Sequence, residues 1–329
     1  MRLLFLFAGL VAIILVSFPL GPFGVDTWTV LQILFAKATG TEHAASTVEE
    51  TVVMQVRLPR IIGAVLVGAG LAAAGAGYQS MFRNPLVSPA ILGVSAGAGF
   101  GAALGLLAEL PWTAIQLMAF GFGLVAAALA LTIARLLGRG STVVLVLAGI
   151  VVSTLFQAFI SITQFLANPE DTLPSITFWL MGGLGRIRVE DLLGAAVVIA
   201  VCLAALHAVR WPVTVLAAGS DEASTLGINR RLTWAVVIGA STLLTATAVG
   251  LAGIVGWVGL VVPHLARMLV GPSFDRLLPA AVLMGAGFLV LVDDVARSAP
   301  MELPLGVLTA VIGAPFFVLL LARARSQWL

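Results

Sequence analysis

The sequence predicts an all-α integral membrane protein with about ten transmembrane helices. Of its 329 residues, 60% are hydrophobic and only 10% are charged, and the mean hydropathy is +1.13. Soluble globular domains carry about 25% charged residues, so this composition excludes them. Apolar stretches of about 20 residues, long enough to cross the hydrocarbon layer of a bilayer, also follow one another along the whole chain.

Most of the predicted spans are charge-free stretches of that length. They cover residues 3–20, 61–82, 91–108, 112–134, 142–167, 192–209, 277–292 and 303–322. The remaining stretch, 232–263, is too long for one crossing. We therefore divide it at a turn predicted at Gly250 and Gly253 and extend its second half to about residue 268. Segment 175–185 is too short to cross, and we interpret it as an interfacial or re-entrant helix.

The charge distribution predicts that both termini face the cytoplasm. With the amino terminus inside, 11 of the 17 lysine and arginine residues fall on inner segments, in agreement with the positive-inside rule. Residues 21–56 then form an outer segment, and residues 210–230 form an inner one. The first span could instead be a cleaved signal peptide, but residues 17–21 show no small-x-small cleavage site. We therefore expect a retained helix within a single membrane domain, 1–329.

The sequence has no nucleotide site of the P-loop type. Its only lysine, Lys37, lies between two alanines, whereas a P-loop requires Gly-x4-Gly-Lys-Ser/Thr. If ATP drives this protein, another subunit must bind the nucleotide. The lone Cys202 also excludes an intramolecular disulfide.

No ionisable residue falls in the middle of a predicted span, which weighs against ion-coupled transport. The nearest exceptions are Asp293 and Asp294 at the outer end of the ninth span, where we expect a solvated or helix-capping pair. An ion-driven carrier, the competing class of function, would have to use one of them. We expect His264 to be hydrogen-bonded locally at a helix end rather than to bind a metal.

Glycine has a regular spacing in the third span. Gly93, Gly97, Gly101 and Gly105 recur every four residues on one helical face. Such ladders of small residues let helix backbones approach closely in lipid. We therefore predict close packing at this face.

Two inner segments are more than simple connections. Residues 83–89 contain two prolines, which force a defined non-helical link. Residues 211–227 are amphipathic and longer than linking two spans requires, and they predict two short helices broken at Gly219 and Ser220. We interpret this second segment as a surface on which another protein docks.

Several motifs follow one another between about residue 50 and the carboxyl terminus. They are Arg57-Leu-Pro-Arg60, Gln79-x3-Arg83-Asn-Pro-Leu-x2-Pro89-x2-Leu-Gly93, Trp179-Leu-Met-Gly-Gly183, Gly256-x2-Gly259-Leu-Val-Val-Pro263-His-x2-Arg267 and Glu302-Leu-Pro-Leu-Gly306-x6-Gly313-x-Pro315. Together they resemble the permease subunits of ABC importers for iron chelates, haem and vitamin B12.

The resemblance implies the type II ABC importer architecture: a ten-helix subunit that forms a homodimer around a central path in the bacterial inner membrane. Two cytoplasmic ATPase subunits and one periplasmic substrate-binding protein would complete the importer. ATP and Mg would bind to the ATPase, so we expect no cofactor, catalytic residue or metal ligand in this chain. An iron compound, haem or a ferric siderophore, is the expected substrate, with vitamin B12 as the alternative.

The resemblance also implies roles for particular residues. Arg57, Arg60 and Arg297 match arginines that dock glutamates of the binding protein. The coupling helix that enters the ATPase would comprise Gly219, Ser220, Asp221, Glu222, Ala223, Leu226 and Gly227. Thr142 matches a cytoplasmic gate, although Val143 follows it where the family often has a second small polar residue. As lining of the path we expect the small-residue face of the second span, together with Ser153, Gln157 and Thr163.

Overall fold

The computed structural model describes residues 1–42, 44–138, 141–219, 223 and 225–325, and these residues form helices without strands. In chain order the helices are α1 (Arg2–Ser17), α2 (Thr27–Thr39), α3 (Thr47–Thr51), α4 (Leu58–Met81), α5 (Val94–Leu107), α6 (Trp112–Gly138), α7 (Thr142–Leu166), α8 (Thr172–Met181), α9 (Val189–Ala208), α10 (Arg210–Ala218), α11 (Arg230–Ala252), α12 (Val258–Val270), α13 (Phe274–Ser298) and α14 (Leu305–Arg325). A π-helical stretch, Val52–Arg57, makes α3 and α4 continuous, and a 3-10 turn, Pro89–Leu92, precedes α5.

Every predicted span overlaps one of these helices, and the all-helical fold class is confirmed. Within the described residues, six helices are long and apolar enough to cross a membrane. They are the continuous helix Thr47–Met81, α6, α7, α9, α11 and α13. The other predicted spans fall on the shorter apolar helices α1, α5, α12 and α14. Ten crossings and the sidedness of the termini therefore stay predictions.

The structure confirms two local features of the predicted organisation. Helix α11 ends at Ala252, and Gly253 follows with a φ of 69°, so the long apolar stretch is divided where the sequence predicts a turn. Segment 175–185 overlaps the 10-residue helix α8, which is too short to span the bilayer.

Helix α4 lies at the centre of the bundle, in contact with α9, α11, α12 and α13. Its neighbours touch its backbone directly because glycines meet at the crossings. A Cβ atom placed on Gly68 would lie 2.2 Å from the carbonyl oxygen of Gly285, and one on Gly75 would lie 1.9 Å from that of Gly259. These contacts leave no room for a side chain at either crossing.

The glycine ladder of the third span packs as the sequence predicts. Cβ atoms on Gly97 and Gly101 would lie 2.4 Å and 2.3 Å from the carbonyl oxygens of Phe122 and Met118, which belong to α6. The ladder therefore joins α5 to α6.

The prediction that the small residues of the second span line the path is wrong. Ala72, Ala73, Ala74 and Ala76 of α4 have no exposed surface. They pack inside a single copy of the chain, where α4 is surrounded by other helices. A path between two copies must therefore be lined by other residues.

Replacing Gly75 by alanine should destabilise the protein, because the new methyl group would collide with the Gly259 carbonyl and force α4 away from α12. Overpacking of this kind costs about 1–3 kcal/mol. The matched control is Gly239→Ala, since nothing lies within 4 Å of a Cβ at Gly239 in α11. We expect a lower midpoint of thermal unfolding in detergent for Gly75→Ala alone. Equal midpoints for the two variants would contradict the packing described here.

Candidate functional site

Three arginines and three carboxylates gather at the end of the bundle that the charge distribution predicts to face outside, which we call the outer end. The group lies where α1, α4 and α13 approach one another and where the chain enters α14. Its members, the outer ionic cluster, are Arg57, Arg60, Asp293, Asp294, Arg297 and Glu302.

Arg60 joins α4 to α13. Its Nε lies 2.9 Å from both carboxylate oxygens of Asp293, and its Nη2 lies 2.8 Å from Oδ1. Both side chains are buried. The same Nη2 lies 2.9 Å from Oε1 of Glu302, whose side chain is 52% exposed. Paired N–H donors on one carboxylate fix both distance and orientation, so the α4–α13 contact is set by charge as well as by glycine packing.

The other two arginines bind backbone carbonyl groups at and just after the end of α1. Arg297 donates to the carbonyl oxygen of Ser17 at 2.6 Å and forms an ion pair with Asp294. The Ser17 hydroxyl donates to Asp294 at 2.6 Å. Arg57 donates to the carbonyl oxygens of Phe18, at 2.5 Å, and Phe23. The cluster thus ties α1 and the following loop to α4 and α13.

The expectation of a solvated or capping pair at Asp293 and Asp294 is wrong. Both residues are buried, with 1% and 6% of their surface exposed, and each is paired with an arginine. A buried carboxylate is tolerated only with such partners. One signal was present in the sequence, because Arg297 follows the two aspartates at the helical spacings i+4 and i+3. Nothing in the sequence pointed to Arg60 as the other partner.

The three predicted docking arginines are brought together by the fold, but they are buried. Arg57, Arg60 and Arg297 expose 3%, 7% and 6% of their surface. Their guanidinium groups already contact oxygen atoms of this chain. Docking through them stays a prediction, and in this conformation it requires an exchange of partners.

A cavity of about 330 Å³ adjoins the cluster at the outer end, and sequence reasoning missed it. Trp112, Trp179, Arg186 and Glu302 are among its lining residues. The guanidinium carbon of Arg186 lies 5.6 Å from the centre of the Trp112 ring, a cation–π contact. The cavity thus places one cation, one carboxylate and two indoles around a single opening.

At the opposite end, the inner end, three polar contacts join α10 to α13 and to the end of α4. Arg83, just beyond α4, donates to the carbonyl oxygen of Leu216 from Nε at 3.0 Å and from Nη2 at 2.5 Å. The Nε of Arg210 lies 2.7 Å from Asp275. The backbone N–H of Phe274 donates to the Thr214 hydroxyl at 3.1 Å. The inner segment is therefore attached to both α4 and α13.

The predicted break in the inner segment is confirmed at Gly219, where α10 ends. Of the coupling residues, Ser220, Asp221 and Glu222 lie outside the described residues. Ala223 is buried, Leu226 is exposed, and Gly227 has a φ of 69°. The role of the segment in coupling stays a prediction.

The predicted gate and path residues lie along α7. Thr142 is its first residue and is exposed, as is Val143. Gln157 is exposed, Ser153 is half-buried, and Thr163 is buried with its hydroxyl donating to the Phe159 carbonyl at 2.9 Å. Gln157 is thus the most accessible of the three lining candidates, whereas the Thr163 hydroxyl is hydrogen-bonded to the backbone of its own helix.

The local hydrogen bond expected at His264 is not found at its Nδ1. That atom is buried and has no hydrogen-bond partner among the described residues. The imidazole ring instead lies edge-on to Phe316, with 6.5 Å between the ring centres. The packing of α12 against α14 therefore involves this ring.

Comparison with known proteins agrees with the helical bundle and the ordered motifs. Residues 9–323 match the model of the FecCD transport family. The chain belongs to the FecCD transport family. It is therefore a multi-pass membrane permease of the ABC type, in agreement with the resemblance seen in the sequence.

The relatives of this FecCD-family chain are named for several different substrates. It is 40% identical over 320 residues to the molybdate import permease MolB of Haemophilus influenzae, covering 96% of this chain and 94% of the relative. It is 36% identical over 284 residues to the hemin permease HmuU of Yersinia pestis, covering 83% and 84%. Other relatives are named as iron chelatin and cobalamin permeases.

A solved structure has the same fold. It is described as a metal-chelate-type ABC transporter in an inward-facing conformation, and it is 37% identical to this chain with a TM-score of 0.86. The match covers 98% of this chain and 99% of the other. The arrangement of helices is therefore shared over almost the whole length.

Removing the buried carboxylate of the outer ionic cluster should be costly. Asp293→Asn leaves Arg60 without its buried partner, and breaking a buried pair in this way costs about 3–5 kcal/mol. Glu302→Gln is the matched control, since it removes the half-exposed partner of the same arginine, and surface pairs contribute about 0–1 kcal/mol. Thermal unfolding in detergent should show a large loss for the first variant and a small one for the second. The reverse order would contradict the geometry of the cluster.

Proposed function

We propose that this chain is the permease subunit of an ATP-driven importer that moves an iron compound, haem or a ferric siderophore, from the periplasm to the cytoplasm by alternating access. The observation that carries this proposal is the family match over residues 9–323. The absence of a P-loop in the sequence supports it, because the energy source must then lie on another subunit.

The complete importer contains two copies of this chain, two cytoplasmic ATPase subunits and one periplasmic binding protein, in the bacterial inner membrane with both termini inside. ATP and Mg bind to the ATPase subunits. These subunits receive the segment from Gly219 to Gly227.

In this mechanism, the loaded binding protein docks on the outer end, where acidic side chains meet Arg57, Arg60 and Arg297. Its ligand enters a cavity between the two copies. ATP binding moves the inner segment, and the helices attached to it change which side of the path is open. Thr142 and Val143 narrow the inner opening, and Gln157 lies along the path.

Molybdate is a second candidate substrate, favoured by a specific observation. The match to the molybdate permease covers 96% of this chain and 94% of that relative, more than the match to the hemin permease covers. Vitamin B12 is a further alternative. An ion-driven carrier is disfavoured, because Asp293 and Asp294 are paired with buried arginines and neither is left to bind a proton or sodium ion.

The function is tested by uptake into proteoliposomes that contain this chain with its cognate ATPase and binding protein. Haem, a ferric siderophore, vitamin B12 and molybdate are offered separately. We expect ATP-dependent uptake of an iron compound, and none with an ATPase that cannot hydrolyse ATP. Uptake of molybdate instead would correct the substrate. Accumulation by this chain alone on a proton or sodium gradient would contradict the proposal as a whole.

A further inference from the structure

We propose that Arg83 is the positioning residue that makes α10 and the central helix α4 move as one body, so that displacement of the inner segment reaches the outer ionic cluster. The inference rests on the proposed function, import driven by an ATPase at the inner end. It assigns to one side chain the transmission of motion between the two ends of the protein.

The first observation is the contact itself. Arg83 donates two N–H groups to one acceptor, the carbonyl oxygen of Leu216, in the last turn of α10. Carbonyl groups in the last turn of a helix have no partner within the helix, and together they carry a partial negative charge. A guanidinium group therefore satisfies an otherwise unpaired oxygen and is attracted by the end of the helix. The contact fixes α10 to the end of α4.

The second observation is the backbone of Arg83, whose φ is +50°. Helix α4 ends with the N–H of Arg83 directed to the Ser80 carbonyl, at 3.4 Å, and the N–H of Asn84 to the Gln79 carbonyl, at 3.2 Å. This pattern is the Schellman motif, and glycine is the usual residue at the left-handed position. An arginine here is conformationally unfavourable. Replacing Arg83 by glycine would therefore remove the guanidinium group without straining this turn.

The third observation is the route from Arg83 to the outer end. Helix α4 runs without interruption from Leu58 to Met81, and its glycines lock it against α13 and α12. Arg60, in its first turn, holds Asp293 of α13. A continuous buried helix with backbone contacts resists bending, so a force applied at Arg83 is carried to Arg60.

The apolar contacts of α10, which bury Val213 and Leu216 in the core beside α4, are non-directional, and its other polar contacts are weaker than the one from Arg83. Arg83 and the Arg210–Asp275 pair both lie at the surface, where charged contacts are weakened by water, but Arg83 directs two N–H groups at the carbonyl oxygen of the buried Leu216. The hydrogen bond from Phe274 to Thr214 joins α10 to α13, but it is a single neutral bond and therefore weaker than the charge-assisted pair that Arg83 donates. Loss of the Arg83 side chain would thus leave α10 packed on the protein, but it would remove the charged contact that joins α10 to the end of α4.

The test separates transmission from stability by using Arg83→Gly, because glycine suits the left-handed backbone while the guanidinium is lost. Glu109→Gly is the matched control. Glu109 has a φ of 51° and ends α5 with the same Schellman pattern, its N–H directed to Leu106 and that of Leu110 to Gly105. Arg83→Lys is the conservative variant, since an ammonium group can still donate to Leu216.

The measurements are made on the complete importer in proteoliposomes. We expect Arg83→Gly to unfold near the wild-type temperature, because relief of the left-handed backbone offsets the lost hydrogen bonds. Substrate imported per ATP hydrolysed should fall about tenfold, which corresponds to a coupling free energy of ordinary size. Stimulation of ATP hydrolysis by the loaded binding protein should fall in parallel. Glu109→Gly should import like the wild type, and Arg83→Lys should recover part of the loss.

Two results would overturn the proposal. Wild-type import per ATP in Arg83→Gly would show that the contact transmits nothing. Loss of the ATPase subunits from the purified Arg83→Gly importer would show that Arg83 holds subunits together rather than transmitting their motion. Failure of the proposed function is distinguishable from both, because the wild-type importer would then show no ATP-dependent uptake at all.

Discussion

The backbone contact of α4 with its neighbours is the constraint on which the rest of the structure depends. Apolar side chains gain nothing from leaving lipid, so helices in a membrane are held together by close packing and polar contacts. Gly68 against Gly285, and Gly75 against Gly259, supply that packing on α13 and α12. They also fix how far α4 is shifted along α13, which brings Arg60 opposite Asp293.

The outer ionic cluster depends on this alignment of α4 with α13, and its positive and negative charges are equal in number. It holds three guanidinium groups and three carboxylates: Arg60 and Arg297 form the ion pairs, whereas Arg57 donates to backbone carbonyl groups. All of these side chains except Glu302 are largely buried. Buried charges of this kind must be paired, so the cluster holds α1, α4 and α13 in a single arrangement. Glu302, the half-exposed member, is the carboxylate that an acidic partner can replace at least cost. Such a replacement would keep the cluster neutral.

Local features of this fold were predictable from the sequence, and long-range pairings were not. Span positions, the turn at Gly253 and the packing of the Gly97–Gly101 face follow from residue size, polarity and spacing along the chain. The partners of Arg60 and Arg83 lie 233 and 133 residues away, and no local pattern indicates them. The prediction therefore failed at Asp293. Its position near the end of an apolar span was visible in the sequence, but its pairing with Arg60 was not.

The central claim is that α4 and α13 form one rigid body, and a distance between their opposite ends tests it most directly. Cys202→Ala gives a cysteine-free background, into which nitroxide labels are placed at the exposed residues Leu86, beyond the inner end of α4, and Val295, on α13. Electron–electron resonance then compares the nucleotide-free and ATP-bound importer. The account predicts the same Leu86–Val295 distance in both states. A distance that changes with nucleotide would show that α4 slides along α13, and would contradict it.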